Sequence, residues 1–313
     1  MSNLREFTYP SSDGVHQIHA AEWTPDITEP RGVVQLVHGI SEYILRYAPF
    51  AEYLTRYGFI VVGDDHLGHG KTASGPEEYG FIAEQDGWTH MADDVRALRV
   101  LTGEKYPGLP YFLLGHSMGS FLARTYLIRY PGTLAGAILM GTGQMAPAVV
   151  AAGRVLAARE AKKVGDTHPS PLVNKLAFEA YNQKFAPNRT AYDWLSVNTA
   201  NVDAYLADPL CGGDPTIGLF REMLGGIAYI EKAENLKRMN RNTPILFLSG
   251  AEDPVGDMGK GVRRAYRSFC RSGVRDVEMK LYPGARHEIL NEAQGETVCA
   301  DICRWLEAKL PGR

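Results

Sequence analysis

The stretch 115–119, with the sequence GHSMG, constrains this chain more than any other part of it. It forms a G-x-S-x-G motif between an apolar run that begins at Tyr111 and a helical pattern that extends to Tyr130. A serine between such a strand and such a helix is typical of a nucleophile elbow, a tight turn that lifts the hydroxyl above the edge of a sheet. The motif therefore predicts that Ser117 is a nucleophile and that its backbone is strained.

Short apolar runs alternate with segments of helical periodicity along most of the chain, which predicts an α/β fold. The first two strands are separated by turn residues and should form a hairpin at a sheet edge. The predicted strands lie at 5–10, 15–24, 32–37, 59–62, 111–114, 136–140, 244–250 and 277–282. Helices are predicted at 46–57, 86–105, 120–130, 262–270 and 292–310. The expected architecture is a mostly parallel eight-stranded sheet flanked by helices.

One interval breaks this alternation, because no convincing strand occurs between Gln144 and Arg241. Its periodicity predicts helices at 148–164, 174–185, 202–206 and 218–236, the last with a break at Gly225 and Gly226 as one alternative. We therefore divide the chain into a core, 1–143 and 242–313, and a helical cap, 144–241, inserted after strand 6. Such a cap should cover the carboxyl ends of the strands, where ligands bind in open α/β sheets.

A serine nucleophile needs a base, and the base needs an acid that orients it. In this kind of fold the acid and then the histidine follow the serine along the chain. The only histidines after Ser117 are His168, inside the insertion, and His287, in the loop after the last strand. We predict His287 as the base. Asp253, in the loop after the preceding strand, is the predicted acid, and Glu252 and Asp257 are its alternatives.

The negative charge that develops on a substrate carbonyl oxygen requires two hydrogen-bond donors. The backbone N–H of Met118, directly after the nucleophile, is one candidate. The other should come from the loop after the first buried strand, where Gly39 lets the backbone approach the reacting carbon. We predict that the N–H of Ile40 is this second donor.

The composition excludes several other classes of protein. The formal net charge of −3 gives no sign of a nucleic-acid partner. No apolar run reaches the ~20 residues of a transmembrane helix. The amino terminus has no apolar signal core, so we expect a cytoplasmic protein. Cys299 and Cys303 lie one helical turn apart in an apolar pattern and are expected to be buried thiols of a reducing compartment rather than metal ligands.

Three motifs together resemble the monoacylglycerol lipase and lysophospholipase branch of the α/β-hydrolases, sometimes grouped as serine aminopeptidase-like hydrolases. They are His38-Gly39 followed by Glu42 and Arg46-Tyr47, the D-H-x-G-H-G run at 65–70, and the G-x-S-x-G motif. The resemblance covers nearly the whole chain, including a cap between the sixth and seventh strands. Tyr43 stands where this branch often has histidine, and Lys71 with Thr72 departs from its usual pattern; both should alter only the rim of the site.

The resemblance implies a serine carboxylester hydrolase that acts on acyl esters, of the monoacylglycerol or lysophospholipid type, through an acyl-enzyme. It implies Ser117, Asp253 and His287 as the triad, Ile40 and Met118 as oxyanion donors, and no cofactor or metal. His66 and His69 are spaced like a metal pair, but the branch uses this glycine-rich turn structurally. The expected partner is therefore a small-molecule ester.

The sequence leaves several alternatives open. Glu42 and Arg46 could fix the oxyanion loop as an ion pair or contact substrate. Cap aromatics such as Trp194 could pack between helices or contact an acyl chain. The same scaffold also serves aminopeptidases and amidases, for which the cap offers acidic residues, and non-catalytic ligand-binding proteins. The sequence does not predict the acyl length, the head group or the oligomeric state. It also leaves open whether the cap touches a membrane or micelle surface transiently.

Overall fold

The computed structural model describes residues 3–311 and contains one eight-stranded sheet, in agreement with the predicted α/β-hydrolase architecture. The strands follow the order β1-β2-β4-β3-β5-β6-β7-β8. Only β2 runs against the others, because it pairs antiparallel with both β1 and β4. The strands are β1 Asn3–Pro10, β2 Gln17–Thr24, β3 Gly32–Val37, β4 Phe59–Asp64, β5 Tyr111–His116, β6 Gly136–Met140, β7 Ile245–Gly250 and β8 Val277–Tyr282.

Helices cover both faces of this sheet. The α-helices are α1 Ala48–Arg56, α2 Gly87–Lys105, α3 Met118–Arg129, α4 Pro147–Val164, α5 Pro171–Asn174, α6 Ala180–Asn182, α7 Thr199–Ala207, α8 Ile217–Glu231, α9 Ala233–Leu236, α10 Lys260–Ser272 and α11 Gly295–Ala308. Short 3-10 helices lie at Ile44–Tyr47, Pro76–Glu78, Gln183–Phe185, Asp193–Leu195 and Ile289–Asn291, and a π-helix at Lys175–Glu179. Within residues 3–311, no helix is both long and apolar enough to cross a membrane.

Alternate residues of the central strands enter two hydrophobic cores, one on each side of the sheet. On β3, Val33 and Val37 pack into the core beneath α2, α3 and α10, whereas Val34 and Leu36 pack into the core beneath α1 and α11. A strand buried on both faces requires such a continuous apolar run. This explains why the run 32–37 was a reliable strand signal.

The helix in the second half of the insertion is continuous through Gly225 and Gly226, so the predicted alternative with a break there is wrong. The glycines at 225 and 226 do not break α8, which continues to Glu231. A Cβ on Gly226 would lie 2.2 Å from Cε2 of Trp88 in α2, so this glycine provides a close helix contact rather than a turn. Leu219, Ile227 and Ile230 of α8 consequently join the same hydrophobic core as α2 and α3.

Candidate active site

Ser117 lies at the junction of β5 and α3 in a strained backbone conformation, as its motif predicts. Its φ of 53° and ψ of −122° are unfavourable for a residue with a side chain. Glycine is required on both sides of the turn. A Cβ on Gly115 would lie 2.2 Å from the carbonyl oxygen of Gly119, and one on Gly119 would lie 2.0 Å from that of Val37. The amide of Met118 is the first of α3, and the first amides of a helix have no acceptor within it.

The loop after β3 passes close to Ser117 and is held by a buried carboxylate. A Cβ on Gly39 would lie only 3.1 Å from the Cβ of Ser117. The N–H of Gly39 donates a hydrogen bond to Oε1 of Glu42 at 2.6 Å. The structure thus places the backbone around Ile40 beside the serine, and Ile40 lines the same chamber.

His287 and Asp253 form a buried pair at the carboxyl ends of β8 and β7. Nδ1 of His287 lies 3.0 Å from each carboxylate oxygen of Asp253. The carboxylate also accepts hydrogen bonds from the N–H of Val255 at 2.9 Å and the hydroxyl of Ser249 at 3.2 Å. Burial alone would raise the pKa of Asp253, but its attraction to His287 and the hydrogen bonds outweigh burial and lower that pKa. The acid is therefore held ionised beside the imidazole.

The alternative residues lie elsewhere in the described structure. Glu252 and Asp257 make no hydrogen bond to His287 within residues 3–311. Asp257 instead pairs with Arg264 at 3.1 Å and is half exposed. His168 is exposed in the insertion, where its Nδ1 lies 3.1 Å from the hydroxyl of Thr167.

Ser117 and His287 line the same small chamber, which has a volume of about 30 Å³. Its walls include Ile40 from the β3 loop and the aromatic rings of Trp194 and Tyr205 from the insertion. The ring of Trp194 lies 5.1 Å from that of His287, measured between centroids. The chamber is therefore narrow where Ser117 and His287 meet.

A buried cluster of charges supports one side of this chamber. Arg46 donates to Glu42 at 2.7 Å and makes a two-pronged contact with Glu288 at 2.9 and 3.0 Å. Burial opposes ionisation of Glu42, but hydrogen bonding from His116 and attraction to Arg46 hold its pKa far below the usual range. Glu42 therefore pairs with Arg46 and holds the loop at Gly39, which is the first of the two predicted alternatives for this pair. Sequence reasoning missed Glu288, since no local pattern links it to a residue 242 positions away.

A second, larger cavity lies among the helices of the insertion and has a volume of about 580 Å³. Its lining is almost entirely apolar and comes mostly from α4, the segment at 173–181 and α8. Val149 and Leu176 line it although their side chains are 58% and 57% exposed, so they mark an opening to solvent. One carboxylate, that of Glu231, interrupts this lining.

Four aromatic side chains lie between this cavity and the chamber that holds Ser117. Phe178 lies against Trp194 at 6.1 Å on one side and against Phe220, in the wall of the apolar cavity, at 5.7 Å on the other. Tyr181, also in the cavity wall, lies 5.4 Å from Trp194. These rings pack between helices in the structure and at the same time separate the two spaces.

The histidines at the D-H-x-G-H-G turn form a stacked group rather than a ligand set. His66 stacks on His38 with 4.0 Å between ring centroids, and His69 lies 5.3 Å from His38. Burial lowers the pKa of His66 and of His69 to about 4, so both rings are neutral. Among residues 3–311, no group of three or more histidine, cysteine or acidic side chains is arranged to hold a metal ion.

Comparison with known proteins agrees with this geometry. A family profile described as serine aminopeptidase, S33, matches residues 28–294. The monoacylglycerol lipase of Mycolicibacterium smegmatis is 30% identical over 319 residues, covering 99% of each chain. The monoglyceride lipase of Homo sapiens is 28% identical and covers 92% of this chain and 86% of its own.

Solved structures show the same relationship. A thermostable carboxyl esterase from Bacillus coagulans, in complex with glycerol, superimposes with a TM-score of 0.91 at 30% identity over 98% of this chain and 99% of its own. The monoglyceride lipase of Saccharomyces cerevisiae, in complex with a substrate analog, gives 0.77 at 21% identity over 99% and 96% of the two chains, and shares the fold. This chain belongs to the serine aminopeptidase S33 family of α/β-hydrolases, as a member similar to the monoglyceride lipases.

Proposed function

We propose that this protein is a serine hydrolase that cleaves carboxylic esters of acyl chains, with monoacylglycerol or lysophospholipid-type lipids as its substrates. The observation that carries this proposal is the His287–Asp253 pair, whose histidine lines the same chamber as a serine on a strained turn. A buried carboxylate that orients a histidine beside a serine is the arrangement that activates the hydroxyl.

In the proposed reaction, Oγ of Ser117 attacks the ester carbonyl carbon while Nε2 of His287 accepts the hydroxyl proton. Asp253 holds the imidazole in orientation and stabilises its positive charge. The N–H groups of Ile40 and Met118 donate to the oxyanion of the tetrahedral intermediate. When the intermediate collapses, the ester C–O bond breaks and the alcohol leaves with the proton from His287. Water, deprotonated by His287, then attacks the acyl-enzyme and releases the carboxylic acid.

The apolar cavity supports an acyl chain as the substrate group. Burial of one methylene contributes about 0.8 kcal/mol, so a chain of many carbons gains much from this surface. The segment 144–241, which supplies nearly all of that lining, is proposed as the cap of the enzyme. The related esterase binds glycerol in its crystal structure, and glycerol is the alcohol that a monoacylglycerol would release.

The amidase alternative has less support. An aminopeptidase needs a carboxylate that is free to bind the ammonium of its substrate. The acidic cap residues are mostly engaged elsewhere: Glu160 with Lys163 and Ser170, Asp193 with Thr190, Asp203 with Arg189, and Asp208 with Tyr43. Asp214 lines the chamber and is the carboxylate that such an ammonium would meet, so an aminoacyl amide belongs among the substrates tested.

A panel of a long-chain monoacylglycerol, a lysophospholipid, a short p-nitrophenyl ester and an aminoacyl amide tests the proposal. We expect the acylglycerol or the lysophospholipid to have the highest kcat/KM, and Ser117→Ala to lose at least ~10⁴-fold of turnover while keeping its fold. Wild-type ester turnover by Ser117→Ala would refute the assignment of the nucleophile. Preference for the aminoacyl amide would refute the substrate class.

A further inference from the structure

His116, the residue before the candidate nucleophile, is buried between two loops of the active site and is only 4% exposed. Its Nδ1 lies 3.0 Å from the hydroxyl oxygen of Tyr47 and 3.2 Å from Oε1 of Glu42. On the other side of the ring, Nε2 lies 3.3 Å from the backbone carbonyl oxygen of His287. The ring therefore bridges the β3 loop and the loop that carries the candidate base.

Every one of these neighbours is an acceptor toward His116. The single proton of the Tyr47 hydroxyl is donated to Oε1 of Glu42 at 2.8 Å, so its oxygen presents lone pairs to Nδ1. Glu42 also accepts from the N–H of Gly39, as an ionised carboxylate does. A backbone carbonyl, that of His287, can only accept. An unprotonated ring nitrogen on either side would face lone pairs. With a hydrogen on both nitrogens, Nδ1–H is shared between Tyr47 and Glu42, and Nε2–H is donated to the carbonyl of His287.

The charges of the buried cluster lead to the same protonation state. Glu42 and Glu288 are two carboxylates, and Arg46 is one guanidinium, so these three groups sum to −1. A positively charged His116 makes the cluster neutral, and unbalanced charge in a protein interior is strongly unfavourable. Burial alone would lower the pKa of His116, but its hydrogen bond and attraction to Glu42, and then its attraction to Glu288, raise that pKa above 6.5.

Two further titratable groups lie near the ring of His116. The imidazole of His287 lies 4.8 Å from that of His116, between centroids, and Asp253 lies behind it within electrostatic reach. Arg46 opposes a positive charge on His116 but is neutralised by the two carboxylates it contacts. The net charge of the groups around the ring of His116 is therefore negative.

We propose that His116 is a positioning residue, an imidazolium that ties the loop of the oxyanion donor to the loop of the catalytic base. The connection runs from the N–H of Gly39 to Glu42, from Glu42 to His116, and from His116 to the carbonyl of His287. Its role in turnover rests on the proposed function. Deprotonation removes one of its hydrogen bonds and the neutrality of the cluster, so kcat/KM should fall as pH rises through this titration.

Nitrogen NMR of protein labelled with ¹⁵N-histidine tests the protonation state without any substrate. We expect the ring of His116 to carry protons on both nitrogens at pH 6 and to lose one above pH 6.5. Its signals should vanish in His116→Asn and persist in His168→Asn, an exposed histidine that serves as the matched control. A neutral imidazole at position 116 at pH 6 would overturn the proposal, even if the protein proved to have no esterase activity.

The pH profile tests the positioning role. In the wild type, the alkaline decline of kcat/KM should have the same midpoint as the NMR titration. His116→Asn should lower kcat about tenfold or more at pH 7 with little change in KM, since small displacements of catalytic groups are costly. It should also lose that alkaline decline, whereas His168→Asn keeps it. Different midpoints in the wild type would overturn the role, and this comparison remains available if His116→Asn does not fold.

Discussion

Glu42→Gln is the most informative perturbation of the site's scaffold, because it changes one charge and almost no volume. The carboxylate is 4% exposed and accepts hydrogen bonds from Gly39 at 2.6 Å, Arg46 at 2.7 Å and Tyr47 at 2.8 Å. Without this carboxylate, the guanidinium of Arg46 and the imidazolium of His116 have only one carboxylate beside them, that of Glu288. Breaking a buried pair in this way costs about 3 kcal/mol or more.

This free energy translates into a measurable shift of the melting temperature. For a chain of 313 residues, an unfolding entropy of about 2.1 cal/mol/K per residue gives about 0.65 kcal/mol/K, so 3 kcal/mol lowers Tm by about 5 °C. Differential scanning calorimetry measures this shift. Glu52→Gln is the matched control, since Glu52 is exposed on α1 and its loss should change stability by less than ~0.5 kcal/mol.

The same substitution should slow ester hydrolysis by about tenfold or more, because the loop at Gly39 loses the ionised acceptor that holds it. The effect should appear in kcat more than in KM. If Glu42→Gln melts within 1 °C of the wild type and turns over ester within a factor of about two, the reasoning that this buried carboxylate organises the oxyanion loop is wrong.

Three further predictions concern the acid of the triad, the acyl site and pH. Asp253→Asn should keep the fold and lose ~10⁴-fold of kcat in a steady-state ester assay; a loss below tenfold would exclude its role. In a series of esters of increasing acyl length, each added methylene should raise kcat/KM by up to about fourfold. Ala152→Phe, in the wall of the apolar cavity, should reduce this gain, and Ala151→Phe, on the neighbouring surface, should not. Burial lowers the pKa of His19, but its hydrogen bond to Asp65 outweighs burial and raises that pKa above 6.5. Its stabilising effect is thus present below pH 6.5 and lost as pH rises through the folded-state pKa, so Tm of the wild type should fall more between pH 6.5 and 8.5 than that of His19→Asn.

The sheet was predictable because its signals are local. Three strands, β3, β6 and β8, have the predicted bounds, since each is a run of suitable residues bounded by turns or glycine. The strained turn at Ser117 was also predictable, because the flanking glycines serve only that geometry. These features depend on a few neighbouring residues.

The rest of the site depends on contacts between distant parts of the chain. The wrong alternative at Gly225 and Gly226 is an example: these glycines resemble a helix break, and only the position of Trp88 explains why Gly226 belongs inside a helix. The pairing of Arg46 with Glu288 likewise arises from the fold and has no local pattern. The aromatic rings between the chamber and the apolar cavity became recognisable only from their mutual distances.

Covalent labelling by a fluorophosphonate probe tests the central proposal most directly, because the probe reacts much faster with an activated serine than with other side chains. Peptide mass spectrometry of the labelled protein should place one adduct on Ser117, formed rapidly in the wild type and very slowly in Asp253→Asn and His287→Ala. An adduct on another residue, or no adduct in a folded wild-type protein, would contradict the proposed mechanism and would favour a ligand-binding protein on the same fold.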